Sequence, residues 1–153
     1  MNLKKLLISS ILISLLSGCA AQAPRGDLAA ELEQKTFTTP EEKSVNLYIY
    51  RSQDGLLNND VTSKKKIWVN GRELGGLIAH SYMFTTVPEG VISIETESEF
   101  GNNELVFEAF GGKNYFIEQS LKVGVVVSGS ELNRTYDQKG KQAVLGAKLL
   151  KNL

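Results

Sequence analysis

Between Ser44 and Ser130 the chain is cut by turn signals too closely spaced to leave room for a long helix. Asn70-Gly71, Pro88-Glu89-Gly90, Gly101-Asn102-Asn103, Gly111-Gly112 and Ser128-Gly129-Ser130 separate segments rich in β-branched and aromatic residues. Asn-Gly tolerates positive φ at both turn centres and is the strongest short hairpin signal. Within the segments the period is two: Val45, Leu47 and Ile49 alternate with Asn46, Tyr48 and Tyr50. Further strands are predicted at Lys66 to Val69, Arg72 to Leu77, Ser81 to Val87, Val91 to Glu97, Glu104 to Phe110 and Asn114 to Ser120. Gly75-Gly76 suggests a bulge or bend. Val123 to Val127, apolar apart from Gly124, reads as a buried strand. Asp137 is a candidate cap for a short helix through about Lys148, with Ala143, Val144 and Ala147 facing inward. The expected fold is all-β, an antiparallel β-sandwich of about seven or eight strands with a short C-terminal helix.

The N-terminus has a different character. Lys4 and Lys5 precede an apolar run from Leu6 to Leu16, and Ser17-Gly18 leads into the only cysteine, Cys19. A permanent membrane span needs about 20 apolar residues, so a charged start, short apolar middle and small residues read as a secretory signal peptide. Leu16-Ser17-Gly18-Cys19 resembles the bacterial lipobox. The resemblance implies diacylglyceryl attachment to the Cys19 sulfur, cleavage before it and acylation of the new amino group. The alternative is a secreted protein with an incidental thiol. More than one acyl chain holds a protein stably on a membrane, so the lipid would set location. Ala20, where inner-membrane lipoproteins usually carry Asp, implies the outer membrane, with the domain facing the periplasm. The expected organisation is a signal peptide at 1–18, a lipidated tether at 19–43 and one domain at 44–153. Within that domain, Ser52 to Lys65 reads as a polar loop containing Asp54-Gly55 and Asn58-Asn59-Asp60. No cofactor beyond the covalent lipid is expected.

Of 17 basic and 17 acidic residues, Lys4 and Lys5 leave with the signal peptide, so 15 face 17 and the net charge is −2. That balance argues against a nucleic-acid partner, and Lys64-Lys65-Lys66 reads as a solvated loop end. With Cys19 committed to lipid, no internal disulfide can form, and apolar packing must hold the domain.

The stretch Val45-Asn46-Leu47-Tyr48-Ile49-Tyr50-Arg51, the Val69-Asn70-Gly71 hairpin and Tyr82 through Pro88-Glu89-Gly90-Val91-Ile92 resemble landmarks of an uncharacterised bacterial lipoprotein family with a domain of unknown function. The likeness runs from about Ser44 to Leu150 and its motifs are structural. It implies no catalytic residues.

Inventory also argues against an enzyme. His80 is the only histidine, no Gly-x-Ser-x-Gly elbow accompanies it, and phosphate-loop and dinucleotide fingerprints are missing. One histidine and a lipidated cysteine serve zinc poorly, and no metal site is expected. Two features point to binding. Glu95, Glu97 and Glu99 share one strand face. A loop from Phe100 to Asn103 would set Glu99 opposite Glu104 and Glu95 opposite Glu108. Such a face suits calcium, a basic peptide or nearby lysines, or else is a solvated surface that deters aggregation. Tyr48 and Tyr50 lie opposite the aliphatic face of their strand, and Trp68 alternates with Ile67 and Val69. Exposed aromatic rings can anchor a protein interface or stack on sugars; the competing reading is that the alternation inverts here and Trp68 belongs to the core. The expected function is a protein-binding or structural module of the cell envelope, with an envelope protein partner. Binding of cell-wall glycan through the same aromatics is the alternative.

Overall fold

A computed structural model describes residues 23–52 and 63–153. The signal peptide, Cys19 and the Asp54-Gly55 and Asn58-Asn59-Asp60 parts of the polar loop lie outside these residues. The elements are α1 (Leu28–Gln34), β1 (Ser44–Arg51), β2 (Lys65–Val69), β3 (Arg72–Leu77), β4 (Ser81–Pro88), β5 (Gly90–Ser98), β6 (Gly101–Ala109), β7 (Lys113–Lys122), β8 (Gly129–Thr135), α2 (Asp137–Gly146) and β9 (Lys148–Leu149). Nine strands among the described residues form a five-stranded sheet, β8-β7-β1-β4-β9, and a four-stranded sheet, β3-β2-β5-β6. The all-β sandwich and its C-terminal helix are as the sequence predicts. Seven pairings include two parallel ones, β1 with β7 and β4 with β9, so the larger sheet is mixed.

Strand β1 sits at the centre of the larger sheet and is buried along almost its whole length. Val45, Leu47 and Ile49 point into the sandwich, where they meet Ile67, Leu77, Ile92 and Ile94 of the other sheet. The Asn70-Gly71 turn has φ of 50° and 77°, and Val69 pairs with Arg72 across the two-residue hairpin that this sequence favours. The bulge expected in β3 is present: Ile67 pairs with Gly75 while Trp68 pairs with Glu73.

At one end of the core, a buried polar network joins the sheets. Arg51 donates to Gln119 Oε1 (2.8 Å from Nε) and to the Leu77 carbonyl (2.9 Å). Gln119 donates to Thr96 Oγ1 (2.6 Å), which is hydrogen-bonded to Ser130 Oγ at 2.7 Å. Buried donors and acceptors are costly unless paired, so this chain fixes β1 and β7 relative to β5 and β8.

Helices and connecting chain cover the other face of β1. Tyr48, Tyr50, Tyr82 and Phe116 form a second apolar layer with Val144, Ala147 and Leu149. Phe37 follows α1 and packs its ring 5.4 Å from Tyr48 and 5.8 Å from Phe116. The tether reading therefore needs correction from Ala23 onward. Ala23 lies in the core, Gly26 donates to the Leu149 carbonyl (3.0 Å) and Lys35 to that of Ala147 (2.7 Å). The sequence hid this docking because α1 buries no complete apolar face; Leu28 and Leu32 stay exposed.

Helix α2 ends at Gly146, before the predicted limit, because Lys148 starts β9. Its N-cap is Tyr136, with Asp137 in the first turn, where an acidic residue suits the helix dipole. Gly140 explains why this helix tolerates a poor helix former. A Cβ there would lie 2.3 Å from Cβ and Cγ of Phe116. Gly140→Ala would gain about 1 kcal/mol of helix propensity. Overpacking against a buried ring costs about 1–3 kcal/mol, so a net loss of stability in urea denaturation is expected, in place of the gain seen at exposed helical glycines.

Candidate functional site

The two outer sheet faces differ. Helices cover that of the five-stranded sheet, whereas none of the described elements covers that of the four-stranded sheet. Trp68 stands on this open face, half-buried, between inward-pointing Ile67 and Val69. Its cross-strand neighbours are Glu73 on β3 and Glu95 on β5, and Glu95 in turn faces Glu104 on β6. Glu73, Trp68, Glu95 and Glu104 thus form one row across the sheet. Lys66 lies 5.9 Å above the Trp68 ring and pairs with Glu73 at 3.2 Å. Glu97 accepts the Lys66 backbone N–H (2.8 Å), Glu95 accepts from Asn102 (3.1 Å) and Glu104 from Ser93 (2.6 Å). These bonds, with Trp68 set between Glu73 and Glu95, relieve the crowding that opposed carboxylates would otherwise impose.

Of the predicted aromatic contacts, only Trp68 faces solvent. Tyr48 and Tyr50 do lie opposite the aliphatic face of β1, but both are buried. Tyr48 donates to the Gln34 carbonyl (2.9 Å) and Tyr50 to Thr135 (3.0 Å). Burial pushes the Tyr48 hydroxyl up to about 12 and also raises Tyr50. These are structural tyrosines, since no binding partner can reach them without displacing the helices.

The acidic hairpin has a different register from the predicted one. Ser98 pairs with Gly101, so the loop is the two residues Glu99-Phe100; Glu97 faces Asn102 and Val91 faces Glu108. Gly101 takes φ of 94° and closes the turn earlier than a loop through Asn103 would. Glu95 and Glu97 keep their predicted places, and Glu99 leaves the face. Its carboxylate accepts the N–H groups of Val126 and Val125, which hold it below the usual carboxylate range.

That contact belongs to a feature the sequence misassigned. Val123 to Val127 is an exposed loop between β7 and β8, with Val125 90% and Val126 81% accessible beside an exposed Phe100. An apolar run normally seeks burial, but here Glu99 binds the loop backbone and turns the side chains outward. Exposed contiguous apolar groups of this kind mark contact surfaces. Sequence carries no local signal for a clamp between residues so far apart.

His80 is an exposed turn residue with φ of 53°, and its carbonyl accepts the Lys148 N–H. Among the described residues no group of three or more His, Cys, Asp or Glu could hold a metal ion. None of their helices is long and apolar enough to cross a membrane.

Comparison with known proteins fixes the family. The family model described as protein of unknown function (DUF2846) matches residues 41–130, and the chain belongs to that family. This agrees with the resemblance carried by the opening strand, the Asn-Gly hairpin and the Pro-x-Gly turn. An uncharacterized protein of Haemophilus influenzae is 33% identical over 136 residues, which cover 89% of this chain and 79% of that relative. No solved structure matches the chain.

The Glu99 clamp gives a pH-dependent prediction. Its folded pKa is lowered, so its contribution is present above the unfolded value and lost as pH falls through the folded one. Amide exchange at Val125 and Val126, corrected for intrinsic rates, should accelerate across that acidic window. Glu99→Ala should give the same acceleration at neutral pH and leave exchange in β1 unchanged.

Proposed function

We propose that this member of the family is a lipid-anchored protein of the outer membrane whose domain faces the periplasm and works by binding another envelope protein. The observation that carries the reading is Trp68 in the middle row of the one sheet face left uncovered. Tryptophan is enriched among residues that dominate interface energetics, because its large ring can be desolvated at little entropic cost. Around it, Glu73, Glu95, Glu97 and Glu104 outnumber Lys66, which favours a partner presenting basic side chains. Edge-to-edge strand addition is a poorer fit. The Leu74 carbonyl of β3 accepts from Leu153, and the Ser130 carbonyl of β8 accepts from Asn103 (2.6 Å). The anchor is Cys19, on the sequence argument given above.

A second reading rests on the same ring. Trp68 with Glu73, Glu95 and Lys66 combines a stacking platform with hydrogen-bonding groups, the chemistry that holds sugars. Binding to cell-wall glycan would then replace a protein partner.

A photo-crosslinking residue at Trp68 in living cells should yield a discrete protein adduct. Trp68→Ala should weaken that complex by about 2 kcal/mol, as for an interface hot spot, while the domain stays folded by circular dichroism. Co-sedimentation with purified sacculi, lost in Trp68→Ala and accompanied by no protein adduct, would instead establish the glycan reading. Separately, Cys19→Ala should move the protein out of the membrane fraction. Retention of that variant in the membrane would overturn the lipid anchor.

A further inference from the structure

Away from the Trp68 face, a cleft of about 530 Å³ opens between the start of β7, the end of β8, the chain after α1, and α2. Its size is that of a small-molecule site. Lys113, Arg134 and Lys141 all line it, and each rests on an aromatic ring that lines it too. Lys113 lies 5.5 Å from the centre of the Phe110 ring, Arg134 5.1 Å from Tyr115 and Lys141 5.7 Å from Phe37. Arg134 also stacks at 4.7 Å on Phe107.

This arrangement positions positive charge without using its hydrogen-bonding capacity. A guanidinium held against a ring face keeps its in-plane donors, and an ammonium keeps its N–H groups. Ion pairs among the described residues engage Lys35, Lys66, Lys122 and Lys139 and none of the three cleft cations. Glu108 and Asp137 also line the cleft and form none of those ion pairs. The other polar groups are largely committed. Asn114 donates to the Phe37 carbonyl (2.8 Å) and accepts from Asn46 (3.0 Å), while Thr135 accepts from Tyr50. Three cations against two carboxylates, the cations with donors to spare, favour an acceptor-rich, negatively charged guest.

We propose that this cleft binds a small organic anion bearing a carboxylate or phosphate group, with Arg134 as the principal ligand and Lys113 and Lys141 beside it. Phe110, more exposed than Phe37 or Tyr115, is the apolar neighbour for the hydrocarbon portion of the guest. The site lies apart from the Trp68 row and does not depend on the partner proposed for it. A soluble anion and an anionic lipid headgroup share the required chemistry.

The test is an amide-shift titration of the full mature protein in neutral detergent with citrate, inorganic phosphate and glycerophosphoglycerol, alongside binding to phosphatidylglycerol vesicles. Saturable shifts confined to Thr39, Asn114, Thr135, Asp137 and their neighbours are expected. Arg134→Gln should weaken binding about tenfold or more, as loss of charge-assisted bonds does. Arg134→Lys should retain part of it. Should Arg134→Gln unfold through loss of its packing on Phe107 and Tyr115, the pair Lys113→Gln and Lys141→Gln provides the same readout. Dependence on these cations with the soluble anions identifies a free ligand, and dependence with vesicles alone identifies the headgroup. Shifts that do not saturate, that spread over all surface lysines, or that persist undiminished in the variants would overturn the proposal.

Discussion

Burial of β1 on both faces is the constraint on which the architecture depends. A strand with one wet face needs a single cover, but β1 carries aliphatic side chains on one side and Tyr48 and Tyr50 on the other. Two covers are required, and the chain supplies them from different places. The four-stranded sheet closes the aliphatic side, while residues on either side of the central strands, α1 with Phe37 and then α2, close the aromatic side. Parallel pairing of β1 with β7 follows the same logic, because strands buried on both faces suit parallel neighbours. The intervening chain from β2 to β6 then forms the opposing sheet. The central strand thus organises a three-layer domain in which the helices are part of the core.

Much of this was legible in the sequence wherever local chemistry decides structure. Asn70-Gly71 set its hairpin because few residue pairs accept two positive φ angles, and Pro88-Glu89-Gly90 ended β4 and began β5. Alternation in β1 and β5 gave the correct inner residues. What failed had long-range causes. Tyr48 and Tyr50 carry hydroxyls and so look like a polar face; their burial is decided by chain from both ends of the domain, Phe37 after α1 and then α2. The valine loop looks like a strand until Glu99 captures its backbone, and the acidic register turned on where one glycine closed the loop. Trp68, which the sequence left open between surface and core, faces outward because Ile67 and Val69 on either side point inward and fix the parity of β2.

The same two-cover arrangement leaves an asymmetric surface. One outer face is spent on the helices, so the opposite face is the broadest sheet surface available for contact. It is acidic around Trp68, whereas the cleft beneath the helix layer gathers Lys113, Arg134 and Lys141. With a net charge of only −2 for the chain after Gly18, this separation cannot come from overall composition. It arises from placement, with carboxylates on alternating positions of β5 and β6 and cations seated on rings around the cleft. Opposed fields on two sides of a small domain orient an approaching partner even where the total charge does not.

The docked position of Ala23 also bears on how an anchored domain would work. Ala23 belongs to the core, so only the residues after Cys19 separate the proposed lipid from folded structure. The four Cα–Cα steps from Cys19 to Ala23 span at most about 14 Å, against the longer reach of a tether extending to residue 43. A domain on so short a leash stays near the headgroups and samples few orientations. Restricted sampling raises the effective concentration for partners that are themselves at the membrane and lowers it for those in the open periplasm. If Cys19 carries the lipid, the partner proposed for the Trp68 face should therefore be sought among proteins held close to the same bilayer.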